Sequence, residues 1–192
     1  MSRELGLLLL TGGRGARLGG PKHDRAHPAG GSWGGHLVRT FRAVVPQGPV
    51  QLLGSPLSEV PELRCFEDPR LGPAVALRTW AAGPGPSVAD RWWVVACDLP
   101  RWTPVALGAW WARARAEDPL GRAWVLAEVE GRLQPLGGFL PAALAGALAA
   151  SEGGRLRDLV MALPHRILTA AGGCWIDVDD SEALEDFRRS SL

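Results

Sequence analysis

LGLLLLTGGRGARLGGPK, residues 5–22, is the stretch from which the fold can be read. Leu5 to Leu10 is an unbroken apolar run with no polar alternation. That is the pattern of a strand buried on both faces, as in a parallel sheet covered by helices. Thr11-Gly12-Gly13 stops the run. The loop that follows, up to Lys22, holds five glycines and three cations. Glycines let the backbone turn tightly and let N–H groups converge on an anion without obstruction. Ligands of an open parallel sheet bind beyond the carboxyl ends of its strands, where this loop lies. An ordinary strand-to-helix turn in a glycine-rich chain is the alternative reading.

Outward from this stretch, strands are expected at 50–53, 64–67 and 92–96, with helices at 33–45 and 74–82 between them. Gly34 and Gly35 weaken the start of the first helix. Thr103 and Pro104 form an N-cap and first-turn pair, after which Leu107, Trp110, Trp111 and Ala114 repeat at helical spacing. From residue 123 the rhythm changes. Residues 123–129, a Glu130-Gly131 turn and 132–140 predict an antiparallel excursion, with Pro135 confining one strand to an edge or its end. Helices at 141–150 and 156–163, a strand at 174–178 and an acidic helix from Ser181 complete the chain. The fold class is therefore α/β: a three-layer, doubly wound, mostly parallel sheet of Rossmann-like type in a single domain over residues 1–192.

Composition narrows the function. With 192 residues, 46% of them hydrophobic, one sizeable core suffices. No apolar run approaches the roughly 18–20 residues of a spanning helix, and the first residues lack the pattern of a secretory signal. Three scattered cysteines, Cys65, Cys97 and Cys174, argue against a disulfide frame or a zinc site. A cytoplasmic location follows as the expectation. Lys22 is the only lysine among 21 basic residues. A background that writes arginine for generic positive charge leaves lysine where a compact, mobile point charge is needed, unless its survival is chance. Residues 1–50 carry seven basic and two acidic groups, which suits an anionic ligand. The overall charge of +1 gives no support for nucleic-acid binding.

Two phosphate fingerprints nearly fit this loop and fail. The dinucleotide pattern read from Gly13 meets Leu18 where glycine is required, and the Walker pattern read from Gly15 is interrupted by Pro21 before Lys22. A third pattern fits. Leu10, Gly12, Gly13, Arg17, Gly19, Gly20 and Lys22 fill L-x-G-G-x-x-x-R-x-G-G-x-K. This resembles the signature loop of nucleotidyltransferases with the nucleotide-diphospho-sugar-transferase-like fold, and within them the molybdenum cofactor guanylyltransferase family. The run from Trp92 to Pro100 resembles that family's strand ending in Cys-Asp-x-Pro, and Gln134-Pro135-Leu136 its Pro-Leu segment. Cys174 to Leu184 stands where an Asn-x-Asn-Thr-Pro-Glu-Asp-Leu-like segment is usual.

The resemblance implies transfer of GMP from GTP to molybdopterin, with release of pyrophosphate and dependence on Mg²⁺. It implies backbone contacts of Leu10, Thr11, Gly12 and Gly13 to the nucleotide, with Lys22 and Arg17 on the phosphates. Asp98 becomes the metal ligand and Asp68 the acceptor for guanine. GTP, molybdopterin and transient contact with cofactor-synthesis or delivery proteins are the implied partners. Each carboxylate also has a plainer reading: Asp98 as a turn or cap, and Asp68 as the start of an Asp-Pro-Arg turn. Asp177 and Asp179 read either as a second metal or pterin contact or as a solvated helix start. Pro21 replaces an expected aspartate, and residues 23–31 replace an expected apolar strand. An Asp-x-Asp pair, Asp177 and Asp179, replaces the Asn-x-Asn pair. A transferase using CTP or a sugar phosphate, or a non-catalytic binding protein, therefore stays open. His23, His27, His36 and His165 show no metal-ligand spacing, and Cys97 reads as core.

Overall fold

The computed structural model describes residues 4–13, 15 and 18–190. Strand β1 (Leu5–Leu10) is an interior strand of a seven-stranded sheet. The others are β2 (Val50–Leu53), β3 (Arg64–Phe66), β4 (Arg91–Ala96), β5 (Trp124–Val129), β6 (Arg132–Pro141) and β7 (His165–Thr169), in the order β3-β2-β1-β4-β6-β5-β7. Only β6 runs antiparallel to its neighbours; the other pairings are parallel. This is the expected doubly wound sheet with its antiparallel excursion.

The helices are α1 (Trp33–Val44), α2 (Pro73–Ala82), α3 (Pro104–Glu117), α4 (Ala145–Ala150), α5 (Leu156–Met161) and α6 (Ser181–Ser190). Alternate residues of β1 explain the unbroken run of leucines. Leu5, Leu7 and Leu9 enter a core with Leu37 and Phe41 of α1 and Trp110 of α3. Leu8 enters a second core with Leu77 and Trp80 of α2, Leu148 of α4 and Leu159 of α5. Both faces are dry, so neither calls for a polar residue. Thr103 caps α3, its hydroxyl accepting from the Ala106 N–H at 3.2 Å, and Leu107, Trp110, Trp111 and Ala114 are its buried face. Helix α1 starts despite Gly34 and Gly35, because Ser32 caps it and a side chain at Gly34 would strike Leu57.

Three expectations are corrected. Residues 174–178 are not a strand. A 3-10 turn, Gly173–Trp175, leads there into irregular chain, and the seventh strand is β7. Its periodicity is weak because β7 is a partly exposed sheet edge. Pro135 lies in β6, an interior strand and not an edge, but in the stretch beyond the end of β4, which pairs only with residues 138–141. There the register with β5 also jumps, so no ladder bond needs its missing N–H. The helix expected at 141–150 begins later, because β6 runs on to Pro141 and a 3-10 turn, Ala142–Leu144, intervenes.

Candidate active site

Register across the sheet brings the chemistry-bearing loops together. Leu10 pairs with Ala96, so the glycine-rich loop and the Cys97-Asp98 turn leave the same edge side by side. Leu53 pairs with Phe66, so Gly54 and Asp68 emerge beyond the same edge. A cavity of about 350 Å³ lies over these ends, lined by Leu10, Gly12, Gly13, Lys22, Asp68, Arg70, Asp98 and Leu136, among others.

Lys22 is the electrostatic centre. Its Nζ donates to Oδ2 of Asp98 at 3.1 Å and to Oδ1 of Asp179. Burial pulls its pKa down, but the two carboxylates outweigh that and hold it above the ordinary lysine value. Asp179 arrives there because the Val178 N–H donates to the carbonyl of Asp98 at 2.9 Å. Trp175 anchors the segment just before it, edge-on to Trp102 and Trp110 with centroids 4.9 and 5.3 Å away. Asp177 is pushed above the usual carboxylate range by partial burial and by the negative charge of Asp179 and Asp98.

On the opposite wall, Asp68 Oδ1 accepts the Arg70 N–H at 2.7 Å. Its Oδ2 occupies the space that a Cβ at Gly12 would need. The glycine there is thus a close approach of backbone to carboxylate. Burial pushes the Cys97 thiol up, so it stays a neutral part of the core.

The chain from β1 onward matches the family model of the MobA-like NTP transferase domain over residues 7–167. The chain belongs to the MobA-like NTP transferase domain family. Rv0371c from Mycobacterium tuberculosis H37Rv has a similar structure, with a TM-score of 0.71 at 20% identity over 98% of this chain and 99% of that one. Molybdopterin-guanine dinucleotide biosynthesis protein A from Archaeoglobus fulgidus gives 0.67 at 12% identity over 96% and 97%. A CMP:2-keto-3-deoxy-manno-octonic acid synthetase solved with CTP gives 0.68 at 10% over 97% and 98%. At such identities the likeness is one of fold. No curated protein sequence matches the chain.

As a MobA-like domain, the chain gathers most of its expected site residues in one place. Leu10, Gly12, Gly13, Lys22, Asp68 and Asp98 all line the cavity. Thr11 does not: it is fully buried, its hydroxyl donating to the Ser55 carbonyl at 2.7 Å and its N–H to Leu53 at 2.9 Å. It ties the loop to the end of β2. The Leu10 carbonyl accepts the Cys97 N–H at 3.2 Å. Arg17 lies outside the described residues. Arg70, which the sequence reading left aside, joins the lining, and its positive φ of 60° turns it there. The Asp-Pro-Arg turn was the available signal, but nothing local says which way the arginine faces.

Among the described residues no three His, Cys, Asp or Glu side chains are grouped to hold a metal ion. The donor set nevertheless fits a hard divalent cation held by one or two carboxylates, the remaining ligands coming from phosphate and water. Asp98 and Asp179 are such a pair, already drawn to one cation, the Lys22 ammonium. No described helix is long and apolar enough to cross a membrane.

Proposed function

We propose that this nucleotidyltransferase domain transfers GMP from GTP to molybdopterin and releases pyrophosphate. The observation that carries the reading is the cavity itself, with the Lys22 ammonium between Asp98 and Asp179 on one side and Asp68 across from it. An oxygen of the acceptor's phosphate attacks the α-phosphorus in line; a P–O bond forms there as the bond to the β-phosphate's bridging oxygen breaks. The protein's part is positioning and charge neutralisation. Lys22 meets the phosphates as a point charge and exchanges a carboxylate partner for them. Arg17, by its place in the loop pattern, adds a second clamp. The backbone of Gly12 and Gly13, beside Leu10 and Thr11, borders the nucleoside. Asp98, with Asp179 beside it, would hold Mg²⁺, which when bound neutralises the triphosphate charge. The manganese complex solved for Rv0371c, 16% identical with a TM-score of 0.65 over 97% of this chain and 99% of that one, agrees with use of a divalent ion.

Asp68 supports guanine. One of its oxygens is held by Arg70, and the carboxylate keeps acceptor capacity for the adjacent N–H donors of guanine's Watson–Crick edge. Incubation with each nucleoside triphosphate, Mg²⁺ and molybdopterin, with pyrophosphate followed, tests the reading. Release with GTP is expected. Release with CTP alone would overturn the guanylyl assignment, and nucleotide binding without release would overturn transfer.

A further inference from the structure

Residues 23–31, which replace an expected strand, build a feature that the proposed chemistry has not used. A hairpin closed by an Ala26–Ser32 bridge places His27 over His36 of α1. The two rings stack with centroids 3.6 Å apart and an interplanar angle of 8°. Each points its Nε2 at a carbonyl of the turn that carries Asp98: His27 at Pro100, 3.1 Å, and His36 at Trp102, 2.8 Å. A carbonyl can only accept, so both Nε2 atoms carry protons. His27 agrees independently, since its Nδ1 accepts the Ala29 N–H at 3.0 Å.

The turn is consequently gripped at every second residue. The carbonyls of Asp98, Pro100 and Trp102 take their donors from Val178, His27 and His36 respectively. Thr40 adds a longer bond to Trp102, 3.4 Å. Phe187 of α6 closes the stack, its ring 5.3 Å from that of His27. A charged ring would face another imidazole and lie near Arg39. Burial and Arg39 push both histidines below the ordinary value, with His27 adding to the effect on His36, so they stay neutral donors at physiological pH.

We propose that His27 and His36 are positioning residues, a stacked pair whose Nε2–H groups hold the 98–102 turn so that the Asp98 carboxylate stays aimed at Lys22 and a phosphate-bound divalent cation. The inference rests on the role given to Asp98 above. Groups that orient a metal ligand without touching the metal are typically worth 10–100-fold in metal affinity.

The probe is Mn²⁺ with inorganic pyrophosphate, which needs no decision about the base, and free Mn²⁺ is read by electron paramagnetic resonance. Gln places an amide N–H donor where the imidazole Nε2–H was, whereas Phe keeps a flat ring and loses the donor. His27→Phe and His36→Phe are expected to bind Mn²⁺ about 10-fold more weakly than wild type, and His27→Gln and His36→Gln within about 3-fold of it. Equal affinity in the Phe and Gln variants, whether both weak or both intact, would overturn the proposal. Should the Phe variants not fold, the wild-type protein decides: ¹⁵N imidazole spectra near neutral pH are expected to show both rings as neutral Nε2–H tautomers, and an Nδ1–H tautomer in either overturns the pair's donor role. Unchanged Mn²⁺ affinity in Asp98→Asn would overturn the metal-ligand reading itself, a result separate from the contrast between Gln and Phe.

Discussion

Gly137→Ala adds one methyl group at a point where the core and the candidate site meet. Gly137 is buried in β6 with φ +94°, a conformation that costs a residue with a Cβ about 1–3 kcal/mol. The new Cβ would drive into the six-membered ring of Trp175. Relieving an overpacked core contact typically costs about 1–3 kcal/mol more. The Gly137 carbonyl also accepts the indole N–H groups of Trp93 at 3.1 Å and Trp110 at 3.0 Å, so the strand has little freedom to retreat. The sum is a loss of about 2–6 kcal/mol, a large part of the roughly 5–15 kcal/mol of a whole domain. For a chain of this size that is a fall in Tm of roughly 4–24 °C. Because Trp175 anchors the segment bearing Asp177 and Asp179, the same methyl should also weaken phosphate binding at Lys22. Urea unfolding followed by tryptophan fluorescence measures the first effect, and isothermal titration with pyrophosphate the second. Gly146→Ala is the control: in α4, with nothing near its added methyl, it should stabilise by up to about 1 kcal/mol. A loss under about 1 kcal/mol in Gly137→Ala would refute the account of Trp175 as an anchor.

Further outcomes follow from the same geometry. His36 has its pKa lowered from 6.5 to about 4, chiefly by burial, so the unfolded chain binds more protons than the folded one. Its contribution is therefore present above pH 6.5 and is lost as pH falls from there towards about 4. The shift is about 3 kcal/mol at face value and nearer 1–2 after solvent screening at this half-buried ring. Urea midpoints across that window should fall less steeply in His36→Gln than in wild type. Lys22→Arg keeps the charge but places a planar fork where Nζ sits between two carboxylates; turnover should fall at least about 10-fold, and full activity would refute the point-charge role. Gly12→Ala displaces the Asp68 carboxylate and should raise KM for GTP about 10-fold, the worth of one hydrogen bond to a charged group, with a smaller change in Tm.

Much of this molecule was legible in one dimension because short-range physics writes it there. Leu5–Leu10 announced a strand covered on both faces, Thr103-Pro104 announced the start of α3, and Glu130-Gly131 announced the hairpin of β5 and β6. Glycine spacing before Lys22 marked the anion-binding loop of the cavity, while Asp98 and Asp68 were singled out by the family resemblance. Each of these signals lies within a dozen residues, where capping, periodicity and turn chemistry act. What only the tertiary structure decided depends on contacts far apart in the chain. Asp179 reaches Lys22 across 157 positions, because Val178 hangs on the Asp98 turn and Trp175 is wedged beneath Gly137. Thr11 turns inward to Ser55 and away from the cavity, and β7, not residues 174–178, completes the sheet. His27 and His36 showed no pattern as a sequence, since stacking and a shared turn have no period; a hairpin, a helix and the end of β4 had to meet first.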